Sequence, residues 1–307
     1  MTRDRPFLGI LMMLGFCVLA PATDALAKAL TAFFPVVQLI VVRFVFQTIL
    51  LAPITKQSEY GKLRDFKLTG LIIWRTLLHI FGIGMMFTAL IYLPLAEAIA
   101  IAFVMPFIML LLGRTFLNET VGFRRLTACV VGFVGTLMVV QPTFANVGWP
   151  ALLPLGVAFI FALFMLTTRQ VAKQIDPVAL QTVSGMMASV VLVPILMAAA
   201  AFGVEFAQIP ALTSGLMVAL FFLGLLGTAA HLLMTWSLRF APSATLAPMQ
   251  YLEIPIATLV GWLVFRDLPN GLASAGIAVT ILAGLYIIYR EGRESAAVSP
   301  GESSPTT

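Results

Sequence analysis

Glu253 stands in the middle of the apolar stretch Phe240 to Asp267, and a carboxyl group at that position can do two kinds of chemistry. It can hold a hydrogen-bonding or cationic group of a substrate, or it can carry a proton, because an acid at membrane depth is costly and marks a pathway. Gln250 and Tyr251 add polar atoms beside it, while Pro248 and Pro255 each remove a backbone donor. Such irregular backbone is tolerated in lipid only where neighbouring protein or a water-filled cavity satisfies the freed groups. Helical spacing puts Gln250, Glu253 and Ala257 on one face, with Leu246 a turn earlier. Leu252, Ile256, Leu259 and Leu263 then form an opposite, lipid-like stripe.

Other polar side chains recur at helical spacing in other apolar runs. Arg75, His79, Gly82 and Met86 share one face, Gly224, Thr228, His231 and Thr235 share another, and Arg43 and Gln47 stand four apart on a third. Each group also has a plainer use: a histidine can bond one helix to another, Arg43 can pair with a buried acid, and Gly82, Gly84, Gly224 and Gly227 can let helices approach closely. Four helices that each offer one polar stripe are what a central cavity requires. The candidate cavity set is therefore Glu253, Gln250, His79, His231, Arg43, Gln47, Tyr251 and Arg75.

The elements that must position these residues follow from composition. Over 307 residues, 61% hydrophobic, 10% charged and a mean hydropathy of +1.04 place the chain among integral membrane proteins that cross the bilayer several times. Apolar runs fall at Phe7–Leu26, Val36–Ile54, Thr69–Leu93, Leu95–Leu112, Leu126–Val140, Pro150–Thr168, Val178–Ala200, Leu212–Leu238, Ala244–Phe265 and Leu272–Tyr289, giving ten transmembrane helices. Ala25-Leu26-Ala27 imitates a signal-peptide cleavage site, but the run before it is long and many more follow, so an uncleaved first helix is the expectation. Asp24 and Lys28, four apart near its end, read as an interfacial ion pair.

Lysines and arginines between the runs divide fourteen against two, with only Lys28 and Arg266 in the minority set, which places both termini in the cytoplasm. The net charge of +5 therefore serves orientation, and no nucleic acid is expected as a partner. Cys17 and Cys129 lie in apolar runs and suggest neither a disulfide nor a metal site.

The two halves also match at an offset of 148: Pro94 falls on Pro242, Ala96 on Ala244, Glu119 on Asp267 and Gly135 on Ala283, with Pro106 and Pro255 one residue out of step. Five spans per half is an odd number, so the second half enters the membrane upside down. Inverted repeats meeting around broken helices are the architecture of secondary transporters. The expected fold is all-α and integral to the membrane, with two inverted five-helix repeats at residues 1–145 and 146–290 and a disordered cytoplasmic tail at 291–307 rich in Ser, Pro, Gly and Glu.

Pro94-x-Ala96, Glu119 and their echoes Pro242-x-Ala244, Pro255 and Phe265-Arg266-Asp267 with Gly276 resemble the drug/metabolite transporter superfamily, specifically its ten-helix EamA-type branch. The likeness covers about the first 290 residues; Asp267 departs from a pattern that more often has Glu, with the charge kept. A first helix ending Asp24-Ala-Leu-Ala-Lys28 is similar to a bacterial subset that includes carriers of S-adenosylmethionine and of riboflavin. The resemblance implies a secondary transporter in the inner membrane that moves a small organic metabolite by alternating access. A planar heterocycle is the first expectation and an amino-acid or drug exporter of the same fold the alternative. The expected partners are that substrate and the bilayer, with proton coupling open and the chain a monomer or homodimer. An enzyme is not expected, since no HExxH, GxSxG or Cys-His pattern occurs, and neither a cofactor nor a metal is called for.

Overall fold

The computed structural model describes residues 5–105, 107–108, 112, 123–208, 210–241, 246 and 249–297. Pro106, Arg114, Glu119, Pro242, Ala244 and Pro248 lie outside the described residues. In lipid every backbone donor and acceptor must find a partner within the protein, and helices do this locally. Accordingly the described residues form helices and connections, with no strand.

The helices are α1 (Pro6–Leu30), α2 (Val36–Leu51), α3 (Phe66–Tyr92), α4 (Leu95–Ala102), α5 (Phe123–Val147), α6 (Leu153–Ala172), α7 (Pro177–Ala201), α8 (Ser214–Phe240), α9 (Glu253–Phe265) and α10 (Gly271–Ala297), with a one-turn helix at Gln57–Tyr60 between α2 and α3. Side chains start several of them: Asp65 accepts from the Lys67 and Leu68 amides, Asp176 from Val178, and Thr213 from Leu216. Where the run ends at Phe265-Arg266-Asp267, Arg266 adopts a left-handed φ of 61° and donates its N–H back to Trp262 O at 3.1 Å.

Seven described helices are long and apolar enough to cross a membrane. The expected fourth and ninth spans instead arrive in pieces. α4 ends in a turn at Phe103–Val104, and a turn at Tyr251–Leu252 precedes α9. These breaks are equivalent positions of the two halves, since 251 − 103 = 148, and the Phe103 and Tyr251 rings meet at 5.4 Å. The last helix runs on to Ala297, into the segment that composition marked as a tail.

Packing follows the repeat. α1 lies along α8 and, equivalently, α6 along α3; α2 packs on α7 and α5 on α10; α1 meets α9 as α6 meets α4. Two repeats related by a two-fold axis would produce this pattern. α3 and α8 also superpose in numbering, as 66 + 148 = 214 and 92 + 148 = 240. α5 and α10 approach closely through Gly135 and Gly276, where a Cβ on Gly135 would sit 2.8 Å from the Gly276 carbonyl oxygen.

The buried apolar residues form two main clusters. One includes Leu30, Phe44, Phe87, Leu95, Tyr251 and Ile254; the other includes Met13, Phe16, Phe164, Met234 and Leu246. Along α1 the division falls between Ala20 and Ala25, along α3 between Leu78 and Ile83, and along α8 between Leu223 and Ala230. Thr23 and Asp24, His79 and Gly82, and Gly227 and Thr228 occupy that seam. Of the expected ninth-span stripe Leu259 and Leu263 face outward, while Leu252 and Ile256 are half-buried; Leu246, Gln250 and Ala257 face inward.

Candidate functional site

The seam holds a cavity of about 90 Å³ between α1, α2, α3, α4, α6, α8 and the broken ninth span. Its polar lining comes from Thr23, Asp24, Arg43, His231, Gln250 and Glu253; its apolar walls include Phe16, Phe87, Phe103 and Phe161. Four of the eight sequence-derived candidates thus line it: Arg43, His231, Gln250 and Glu253. Gln47, Arg75 and His79 are equally buried but stand behind the wall, and Tyr251 sits at the helix break against Phe103.

Arg43 is brought to the cavity by α2 and is only 2% exposed. Its terminal Nη2 donates to Gly227 O at 3.3 Å and lies 2.7 Å from His231 Nδ1. A guanidinium has donors only, so Nδ1 must accept and the His231 ring proton is assigned to Nε2. Gly227 is what admits the guanidinium, since a Cβ there would collide with it. Three buried polar atoms lack a hydrogen-bond partner among the described residues here: Arg43 Nε, His231 Nε2 and Gln250 Oε1. Two donors and an acceptor, together with the carboxyls of Asp24 and Glu253, give a bound molecule both kinds of partner. Orphaned buried groups of this sort each cost about 1–3 kcal/mol until something satisfies them.

Behind the cavity the remaining polar residues lock helices together. Gln47 donates to Gln181 O at 2.6 Å, and Gln181 donates to His231 O and Thr235 Oγ1 at 2.8 and 2.7 Å, tying α2 to α7 and α8. Arg75 donates from Nε to Thr168 Oγ1 and from Nη1 to Ser184 Oγ, at 2.8 and 2.9 Å, and lies over the Phe164 ring. His79 is sandwiched between Phe164 and His231, with ring centroids 4.7 and 4.4 Å away, and neither of its ring nitrogens has a described partner. The two histidines, 152 residues apart and so one helical turn off the 148-residue repeat, stack on each other at the centre of the bundle.

Asp24 is the cavity residue that sequence reasoning placed elsewhere. Lys28 does not pair with it but turns to the carbonyl oxygens of Leu90 and Leu93, leaving Asp24 in the cavity with Arg43 and Glu253. α1 runs on past the apolar stretch to Leu30, so Asp24 lies inside the helix and not at its end.

Comparison with known proteins decides the family. The model described as "EamA-like transporter family" matches twice in tandem, over residues 7–141 and 148–290. The chain belongs to the EamA-like transporter family. Among other members, a riboflavin transporter of Rhizobium johnstonii is 33% identical over 71% of this chain and 70% of its own. An S-adenosylmethionine uptake transporter of Rickettsia bellii is 27% identical over 92% and 94%. A solved crystal structure shares the fold with a TM-score of 0.59 at 16% identity, covering 94% of this chain and 98% of that one. This EamA-like chain is a multi-pass membrane transporter of a small molecule.

Proposed function

We propose that the chain is a secondary transporter of a planar heterocyclic metabolite, riboflavin or S-adenosylmethionine, in the inner membrane. Ten spans in two inverted five-helix repeats, bounded at 1–145 and 146–290, have both termini in the cytoplasm, and Arg43, His231, Gln250, Glu253 and Asp24 hold the substrate. The observation that carries this reading is the cavity itself: unpartnered donors and an acceptor beside two carboxyls, within walls of Phe16, Phe87, Phe103 and Phe161. Flat aromatic walls suit a ring system, and convergent polar groups fix its edge. The named activities of the Rhizobium johnstonii and Rickettsia bellii relatives support the same substrate class.

A volume of about 90 Å³ admits several waters, at roughly 10–15 Å³ each, but not such a metabolite. The substrate-bound state is therefore wider than this one, as alternating access around broken helices demands. The broken fourth and ninth spans supply the means, because turns at Phe103–Val104 and Tyr251–Leu252 let each half of a span move separately. Between the two substrates, two carboxyls against one guanidinium favour the sulfonium and amino groups of S-adenosylmethionine. Exchange of radiolabelled riboflavin, S-adenosylmethionine and aliphatic amino acids by the purified protein in liposomes tests the proposal, with and without a proton gradient. Brisk exchange of an amino acid with neither heterocycle would overturn it.

A further inference from the structure

α3 and α8 end identically. Each passes into an extended residue, Leu93 (φ −115°, ψ 146°) and Ala241 (φ −137°, ψ 150°), followed by the paired prolines Pro94 and Pro242. Leu93 and Ala241 thus stand as hinge positions, leading from α3 toward the broken fourth span with Phe103 and from α8 toward the broken ninth span with Gln250 and Glu253.

Each hinge is held by one cation. Lys28 Nζ donates to Leu90 O and Leu93 O, at 3.1 and 2.5 Å. Arg169 Nη1 donates to Leu238 O and Ala241 O, at 2.6 and 2.8 Å, and reaches Arg239 O at 3.4 Å. The carbonyls correspond one to one, since 238 − 90 = 148 and 241 − 93 = 148. The cations do not match by number, yet both stand in the last turn of the first helix of their repeat, α1 and α6. A cation at helix-end carbonyls of this kind satisfies them and complements the helix dipole.

Their placement gives the pair a further consequence. α1 packs along α8, and α6 along α3, so Lys28 reaches from the first pair of helices to the second and Arg169 reaches back from the second to the first. The two contacts also lie at opposite ends of the bundle. The Arg5 amide at the start of α1 donates to Phe240 O at 2.9 Å, so the α8 hinge sits beside one end of α1 while Lys28 holds the α3 hinge at the other. Twenty-five residues of helix set those ends roughly 35 Å apart at about 1.5 Å each. Between them lies the stack of His79 on His231, one ring from each pair.

From this geometry we infer that Lys28 and Arg169 are paired latches between the α1–α8 and α3–α6 units, and that the cavity opens to one side of the membrane by release of one latch while the other holds. Lys28 closes the outer side and Arg169 the cytoplasmic side; the assignment of sides rests on the topology proposed above. Both are positioning residues, acting on the substrate through the hinges.

Side-specific labelling tests this. In a background carrying Cys17→Ala and Cys129→Ala, a cysteine at Ala102 in the cavity wall is labelled with a membrane-impermeant thiol reagent, in intact spheroplasts and in inside-out vesicles. Lys28→Gln should raise labelling from outside at least about tenfold, since losing even one of its two charge-assisted bonds brings that shift, and leave the cytoplasmic rate unchanged. Arg169→Gln should do the reverse. Lys28→Arg and Arg169→Lys keep the charge and alter the fit to the carbonyls, so each should give a smaller shift on the same side; they carry the test if a neutral variant does not insert. A shift on the opposite side in both variants would reverse the topology and uphold the latches. Equal increases on both sides, or no change in either, would overturn them.

Discussion

Replacing Arg43 separates the charge of the cavity from its geometry. The side chain is 2% exposed and its contact with His231 Nδ1 is 2.7 Å, so the bond is made out of bulk solvent. A bond from a charged donor in that setting contributes about 1.5–3 kcal/mol, which is roughly a 10- to 150-fold effect if the bond is needed in the transport step. Arg43→Gln removes the charge and the reach together, so substrate exchange in liposomes should fall at least about tenfold. Arg43→Lys keeps a positive charge facing Asp24 and Glu253, but a compact ammonium cannot bond Gly227 O and His231 Nδ1 as the planar guanidinium does.

The two variants therefore rank the two roles. Exchange retained in Lys and lost in Gln assigns the work to charge; exchange lost in both assigns it to the orientation of His231 and the His79 stack behind it. The assay needs a fold control, because leaving Nδ1 unsatisfied also destabilises the bundle, and the thermal midpoint in detergent supplies one. An Arg43→Gln protein that folds as the parent does and exchanges substrate at the parent's rate would remove the polar seam from the transport mechanism.

Further expectations concern other parts of the molecule. Glu253→Gln should abolish gradient-driven accumulation but spare substrate exchange if the carboxyl carries protons, and lower both together if it only binds substrate; Glu253→Ala transporting like the parent would show that it does neither. Gly135→Ala should lower the melting temperature by an overpacking cost of about 1–3 kcal/mol, because its Cβ would meet backbone of α10 at 2.8 and 3.0 Å; an unchanged midpoint would refute that account. Glu59, in the one-turn helix before α3, accepts from Lys62 Nζ and from the Asp176 amide at 2.8 Å each. Partial burial raises its pKa, but the Lys62 bond, the Asp176 amide and the charges of Lys62 and Arg239 hold it below the ordinary Glu value. Its contribution is thus complete above that ordinary value and lost as pH falls through the lower folded one, so Glu59→Gln should flatten the acid side of the melting profile. Reporter fusions should place Thr307 and the loop Lys56–Lys67 in the cytoplasm; an external Thr307 would contradict both the ten-span count and the inverted repeat.

Much of this architecture was legible because lipid leaves few alternatives. An apolar run must be a helix, a proline or a buried acid within it must be accommodated by protein, and a repeat of odd span number must invert. Hence the break near Glu253 and the inward face of Leu246, Gln250 and Ala257 could be read from spacing alone, whereas the stacking of His79 on His231 could not. What spacing does not carry is which of several polar stripes faces the cavity and which faces another helix. Gln47, Arg75 and His79 have the same periodicity as Arg43 and His231, and only packing separates them: Gln47 finds Gln181, Arg75 finds Thr168 and Ser184, and His79 is closed between two rings.

Asp24 and Lys28 show the converse limit. Two opposite charges four residues apart on a helix read as a pair, and in water that would be a reasonable default. In α1 the lysine has a better use, because the carbonyls at the end of α3 have no amide of their own helix to pair with and no water of full strength beside them. Claiming Lys28 for those carbonyls leaves Asp24 free of it, and the freed carboxyl turns to the cavity. The local rule fails where a distant backbone competes for the same cation, and at that point a helix end is tied and an acid is supplied to the cavity by one displacement.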